Sequence, residues 1–233
     1  MQNDVVVITG AAGALGTATA RAFLARGARL ALVDRADDAL RAAYADLPAD
    51  SALLLGGVDV TSAPALEAMA AAVIARFDHI DVLVNIAGAY RHGSVMEMDE
   101  GSWAFLMDLN AKSVYLAARA VVPELRKRGG GRIVSIGSPA ALTAFAGGGV
   151  YAASKAAVLR LTEALSAELK GEGIRVNAVL PGTMDTPANR TAMPDADPTR
   201  WVTTAEVADV VVFLASEGAR GIHGASIPVL GRS

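Results

Sequence analysis

A doubly wound α/β fold, in which a parallel sheet of about seven strands carries helices on both faces, follows from two observations. Short, continuous aliphatic runs alternate with longer Ala-rich stretches whose apolar residues recur at helical spacing, and the first run passes straight into a glycine-rich turn. Strands are expected over 5–9, 29–34, 52–58, 80–85, 132–136, 175–180 and 226–230. Helices are expected between them over 14–26, 36–46, 63–77, 101–128, 151–170 and 204–216. The helix over 14–26 opens directly from the glycine turn, and Ser62 with Pro64 opens the one over 63–77. Arg126-Lys127-Arg128 before three glycines gives the long helix a basic last turn and a stop. Thr203 and Glu206 have capping-box spacing ahead of 204–216. Between 181 and 201, Pro187, Pro194 and Pro198 break the chain too often for a regular element, so this stretch reads as a loop of the kind that forms lids. No repeat or linker divides the sequence, which reads as one domain over 1–233 with a substrate lid around 183–203.

Composition removes several classes of function. There is no cysteine, hence no thiol nucleophile, disulfide framework or thiolate-bound metal. His79, His92 and His223 are scattered without metal-ligand spacing, so no metal is expected. With 21 Lys and Arg against 24 Asp and Glu, the chain lacks the electrostatic footprint of a nucleic-acid partner or an anionic membrane. Mean hydropathy is +0.38, and the charge-free stretch 133–154 is long enough to span a bilayer. Its four glycines, Pro139 and several hydroxyl residues instead suggest a buried strand, a loop and a helix start. The first residues carry no basic segment of the signal-peptide type, and the expected location is the cytoplasm.

The strand over 5–9 enters Gly10-Ala11-Ala12-Gly13-Ala14-Leu15-Gly16 and then a helix. Gly10 permits a tight turn, Gly16 permits close helix–strand packing, and the small residues between them let backbone amides approach a pyrophosphate. Asp34 closes the second strand at the distance expected of an acid that binds a ribose. It favours NAD by repelling a 2′-phosphate; Arg35 beside it could pair with that phosphate and admits NADP, or could stack on adenine or point to solvent.

Tyr151 and Lys155, in Tyr-Ala-Ala-Ser-Lys, fall on one helix face, and Ser138 lies just past the fifth strand. A neighbouring ammonium would favour the phenolate and lower the phenol's pKa, and a serine hydroxyl could hold a substrate oxygen on which charge changes.

Together these residues resemble the short-chain dehydrogenase/reductase family of single-domain, Rossmann-type enzymes, and the likeness covers essentially the whole chain. The family's glycine motif falls on Thr9, Gly10, Ala14 and Gly16, with alanine in place of the middle glycine and Gly13 beside it. Its adenine-contacting Asp-Val falls on Asp59 and Val60, its Asn-Asn-Ala-Gly on Asn85-Ile86-Ala87-Gly88, and its Pro-Gly on Pro181-Gly182; Thr186 corresponds to its carboxamide- or phosphate-binding threonine, with Met184 in the same cofactor-binding stretch. The resemblance implies a catalytic set of Ser138, Tyr151, Lys155 and Asn110. Tyr151 would exchange the hydroxyl proton, Lys155 would lower its pKa and bind the nicotinamide ribose, Ser138 would fix the substrate oxygen, and Asn110 would hold a water linked to Lys155. It also implies a small alcohol or carbonyl substrate and a homodimer or homotetramer. The loop Thr186-Pro187-Ala188-Asn189-Arg190, with Met193 to Asp197 and Trp201, is similar to that of quinonoid dihydropteridine reductase, although Ser138 and Asn110 depart from that pattern. Met184, Met193, Trp201 and Tyr90 either line an apolar pocket or simply pack the lid. The readings left open are an alcohol or carbonyl oxidoreductase, a dihydropteridine-reductase-like enzyme, and an NAD(H)-binding sensor or scaffold without turnover.

Overall fold

The computed structural model describes residues 1–48 and 51–232, so residues 49, 50 and 233 of the expected domain lie outside it. The main sheet contains β1 (Val5–Thr9), β2 (Arg29–Val33), β3 (Ala52–Leu55), β4 (Val82–Asn85), β5 (Gly131–Ile136), β6 (Ile174–Pro181) and β9 (Ser226–Val229). Their order is β3-β2-β1-β4-β5-β6-β9, and every pairing is parallel. The chain therefore winds outward from β1 to β3, returns, and winds the other way from β4. Between β1 and β4 lies the switch point where a doubly wound sheet opens a crevice at its carboxyl edge.

Because both faces are covered, alternate residues of one strand enter different cores. Val6 and Ile8 pack with Phe23, Val207 and Val211, while Val5 and Val7 pack with Leu66, Val73 and Val121. The flanking helices are α1 (Ala14–Leu24), α2 (Asp37–Ala43), α3 (Ala63–Phe77), α4 (Glu100–Leu106), α5 (Ser113–Arg128), α6 (Gly149–Leu169), α7 (Pro187–Ala192) and α8 (Thr204–Ala215). Side chains such as Ile8, Leu32 and Leu83 are fully buried, each worth about 1.5–3 kcal/mol of hydrophobic transfer. The charge-free stretch divides among β5, a loop and the start of α6, and among the described residues no helix is long and apolar enough to cross a membrane.

Beyond shifts at element ends, such as β3 stopping at Leu55 rather than at 58, two stretches differ from the sequence expectation. The helix expected over 101–128 is broken by a π-helical segment, Met107–Lys112, in which the Ser113 amide reaches back to the Asp108 carbonyl. No proline or glycine lies in that segment; a side-chain bridge from Asn110, described below, accompanies the break. The proline-rich loop is also more regular than expected. It contains β7 (Met184–Asp185) paired with β8 (Val202–Thr203), and the short helix α7. Pro187 starts that helix, because the first turn needs no proline amide, and the Thr186 hydroxyl caps it by accepting from the Asn189 amide at 3.2 Å.

Candidate active site

A cleft of about 830 Å3 opens at the carboxyl edge, at the switch point. The glycine turn, Asp34, Arg35, the 58–61 loop, the 86–88 loop, the π segment and the start of the 184–189 loop form its walls. Gly10 (φ +67°) takes a backbone conformation that L side chains rarely adopt, and a Cβ there would come within 2.7 Å of the Ala87 amide nitrogen. At Gly16 a Cβ would come within 2.2 Å of the Gly10 carbonyl. The turn is thus closed against both the loop after β4 and its own helix, and only glycine fits at either position.

The amino end of α1 is left open. Gly13 provides no side-chain cap, and the first turn contains no acid. α3, α4 and α8 are instead capped by Ser62, Asp99 and Thr203. Uncapped amides at a helix start are donors for an anionic group, so this end fits a dinucleotide's pyrophosphate. Asp34 binds the turn from the rim, accepting from the Ala12 amide at 3.0 Å and, through its other oxygen, from the Ala36 amide at 3.0 Å. Tyr44 was not foreseen. Its buried hydroxyl donates to the Ala11 carbonyl at 2.8 Å, and burial pushes the phenol up to about 12, so it stays a donor throughout the neutral range. Asp59 accepts from the amide and hydroxyl of Thr61, which hold its carboxyl below the usual range.

Of the expected cofactor residues, Gly10, Gly13, Ala14, Leu15, Gly16, Asp34, Arg35, Asp59, Val60, Ala87, Gly88, Met184 and Thr186 line this cleft. Asn85, Tyr151, Lys155, Pro181 and Gly182 do not. The buried Asn85 amide donates to the Ser135 hydroxyl at 3.1 Å and ties β4 to β5, while Pro181 lies within β6 and the Gly182 amide donates to the Val229 carbonyl. Thr9 holds the following loop, its hydroxyl accepting from the amides of Ile86 and Ala87. Phe105, Asp108, Leu109 and Asn189 also line the cleft and were missed; three of these lie at or near the π break, which periodicity does not reveal. Met193 is partly exposed and Trp201 is buried, so neither lines the cleft; the half-exposed Tyr90 packs on Tyr151.

The chemical groups lie behind Gly88. A Cβ on Gly88 would come within 2.7 Å of Asn110 Oδ1 and 3.4 Å of Lys155 Nζ. Gly88 thus places the cleft wall directly against two members of the expected catalytic set. Asn110 is almost fully buried and bridges the Ala89 backbone both ways: Oδ1 accepts from its amide and Nδ2 donates to its carbonyl, each at 2.9 Å. Nδ2 also donates to the Ser154 hydroxyl at 2.9 Å, which in turn donates to the Tyr151 carbonyl at 2.7 Å. Ser154, buried and adjacent to Lys155, connects the π segment to α6, a role that the sequence reading did not assign.

The shifts of Lys155 and Tyr151 are set mainly by burial. Lys155 Nζ donates to the Ile136 carbonyl at 2.7 Å, and burial pushes its pKa down to about 8. The Tyr151 phenol is raised rather than lowered: burial raises it most, the Ser138 hydroxyl pulls the other way, and Tyr90 adds to the rise. Tyr90 meets the Tyr151 ring edge-on with centroids 5.0 Å apart, and its hydroxyl is 3.2 Å from His92 Nδ1. Ser138 Oγ accepts from the Ala140 amide at 3.2 Å, which leaves its proton free for another acceptor.

A cleft at the switch point, walled by a glycine turn and an uncapped helix start and backed through Gly88 by Asn110 and Lys155, fits a dinucleotide-dependent oxidoreductase. The family model described as short chain dehydrogenase matches residues 4–197. The chain is 36% identical to 2-(R)-hydroxypropyl-CoM dehydrogenase of Xanthobacter autotrophicus, covering 96% of this chain and 95% of that protein. It is likewise 36% identical to meso-2,3-butanediol dehydrogenase of Serratia marcescens, over 98% and 94%. A solved short-chain dehydrogenase/reductase from Burkholderia xenovorans superposes with a TM-score of 0.91 at 31% identity, covering 99% of this chain and 96% of that one. The chain belongs to the short-chain dehydrogenase/reductase family and is an NAD(P)-dependent oxidoreductase.

Proposed function

We propose that the protein interconverts a small secondary alcohol and its ketone, with Tyr151 exchanging the hydroxyl proton. The observation that carries this reading is the contact made through Gly88, which lines the dinucleotide cleft and backs directly onto Asn110 and Lys155. When bound, the nicotinamide ring accepts or returns the hydride. In the reducing direction the partly buried phenol, protonated in the neutral range as phenols are, gives its proton to the carbonyl oxygen, and Ser138 donates a hydrogen bond to the same oxygen. In the oxidising direction Tyr151 takes the carbinol proton, and Lys155, one helical turn further on, supplies the positive charge that favours the phenolate. Asn110 fixes the π segment and, through Ser154, the backbone of Tyr151, so that proton donor and cleft keep their separation. Asp34 at the rim favours NAD over its 2′-phosphorylated form, and the stretch around 183–203 serves as the lid over the substrate.

The substrate class is drawn from the relatives' names. A 2-hydroxypropyl group and 2,3-butanediol share a methyl carbinol with a heteroatom on the next carbon. The test is oxidation of meso-2,3-butanediol and 1,2-propanediol with NAD+ and NADP+ in parallel, with primary alcohols and reduced pterins as comparison. Faster turnover of the methyl carbinols with NAD+ is expected; exclusive turnover of primary alcohols or pterins would overturn the assignment.

A further inference from the structure

At the opposite edge of the sheet, where β5 and β6 begin, a second cavity of about 490 Å3 is lined by Arg128, Arg132, Lys170, Arg175, Arg220 and His223, with Asp81 and Glu217 as the only acids. Two carboxylates do not balance five permanent cations. Asp81 is already occupied, accepting from the Val5 amide and from Arg128 Nε. Glu217 pairs with Arg132 and Arg175 and also feels the charge of Arg220, and Arg132 reaches Asp4 outside the cavity. Lys170 and Arg220 form no ion pair among the described residues. Arg175 is only 7% exposed, and its buried Nε finds no acceptor although its terminal nitrogen donates to the Ser216 carbonyl. Arg132 and Arg175 also lie close enough for the charge on Arg132 to make Arg175 less basic, adding to the effect of burial. A buried cation with an unmet donor, beside two cations in no close ion pair and lining a roomy polar cavity, is a site short of negative oxygen.

We propose that this cavity binds a small oxyanion carrying two or more negative charges. Lys170 and Arg220, exposed at the rim, would contact it directly, while Arg128, Arg132 and Arg175 set the local potential. The cavity volume far exceeds the ~30 Å3 of one water and accommodates an anion of pyrophosphate size. The site is separate from the dinucleotide cleft, because β5 has six residues, about 20 Å of extended chain, between the two edges. Binding to the folded state alone raises stability.

The test uses holoenzyme saturated with nicotinamide dinucleotide, so that the turn at α1 is already filled, and titrates inorganic pyrophosphate by calorimetry and thermal denaturation. Sodium chloride at matched ionic strength is the reference. One-site binding and a rise of several degrees in Tm beyond that in chloride are expected. The Lys170→Ala/Arg220→Ala variant should keep the parent's Tm in chloride, kcat and KM while binding pyrophosphate at least tenfold more weakly. The absence of binding heat, an equal rise in chloride, or equal affinity in the double variant would each overturn the proposal.

Discussion

The two halves of the carboxyl edge are built on opposite principles. The half proposed to hold the dinucleotide is made of backbone: glycines with no room for a Cβ, an uncapped helix start, a turn tied by Tyr44 and a neighbouring loop held by Thr9. The chemical half is made of side chains, with Asn110, Ser138, Ser154 and Lys155 each less than a tenth exposed. Backbone recognises what every dinucleotide shares, whereas proton chemistry needs groups with particular pKa values, and those come only from side chains placed in low-dielectric surroundings. The first half spends conformational freedom and the second spends desolvation.

Substitutions in each half should therefore fail differently. The largest effect is expected from Tyr151→Phe, which should lower kcat by at least ~100-fold while dinucleotide binding, followed by fluorescence titration, is nearly unchanged. Loss of both together would erase the distinction between the halves. Lys155→Met should also abolish turnover, yet stabilise the fold. A lysine whose pKa falls from 10.5 unfolded to about 8 folded destabilises the folded state fully below pH 8, by roughly 3 kcal/mol, and progressively less as pH rises from 8 to 10.5. Denaturant unfolding at pH 7 and pH 10 should show the variant's advantage shrinking at the higher pH; an advantage independent of pH would show that burial of charge is not its cause. Gly16→Ala should cost about 1–3 kcal/mol through its clash with the Gly10 carbonyl and should weaken dinucleotide binding, since the obstructing atoms are backbone and cannot swing aside. The smallest effect is expected from Asp34→Asn, which removes the charge at the rim and should move the ratio of kcat/KM for NAD+ and NADP+ about tenfold towards NADP+. An unchanged ratio would place cofactor choice with Arg35 or elsewhere.

The same contrast explains what the sequence disclosed. Alternating aliphatic runs and Ala-rich stretches revealed the seven parallel strands, because burial on both faces leaves continuous apolar runs. The glycine turn and Asp34 were legible because a backbone site demands particular residues at particular spacings. The π segment was not, since its six residues contain no helix breaker and it is bridged by bonds from Asn110 to Ala89, far away in sequence. Nor was the division of the charge on Tyr151 and Lys155, since spacing places them on one face but cannot say that Lys155 turns to the Ile136 carbonyl. Nor was the bond from the Asn85 amide to the Ser135 hydroxyl, since a motif identifies a position but not its side-chain partner.

The π segment also makes chain length a functional quantity. An α-helix turns about 100° per residue, and the wider turn between α4 and α5 accommodates a residue that regular helix would have to rotate outward. Deleting one residue between 107 and 112 would let the segment close into α geometry with α4 and α5 keeping their present directions, and would remove the wide turn that carries Asn110 to the Ala89 backbone. The residue count of this stretch is therefore as constrained as the Asn110 side chain it carries.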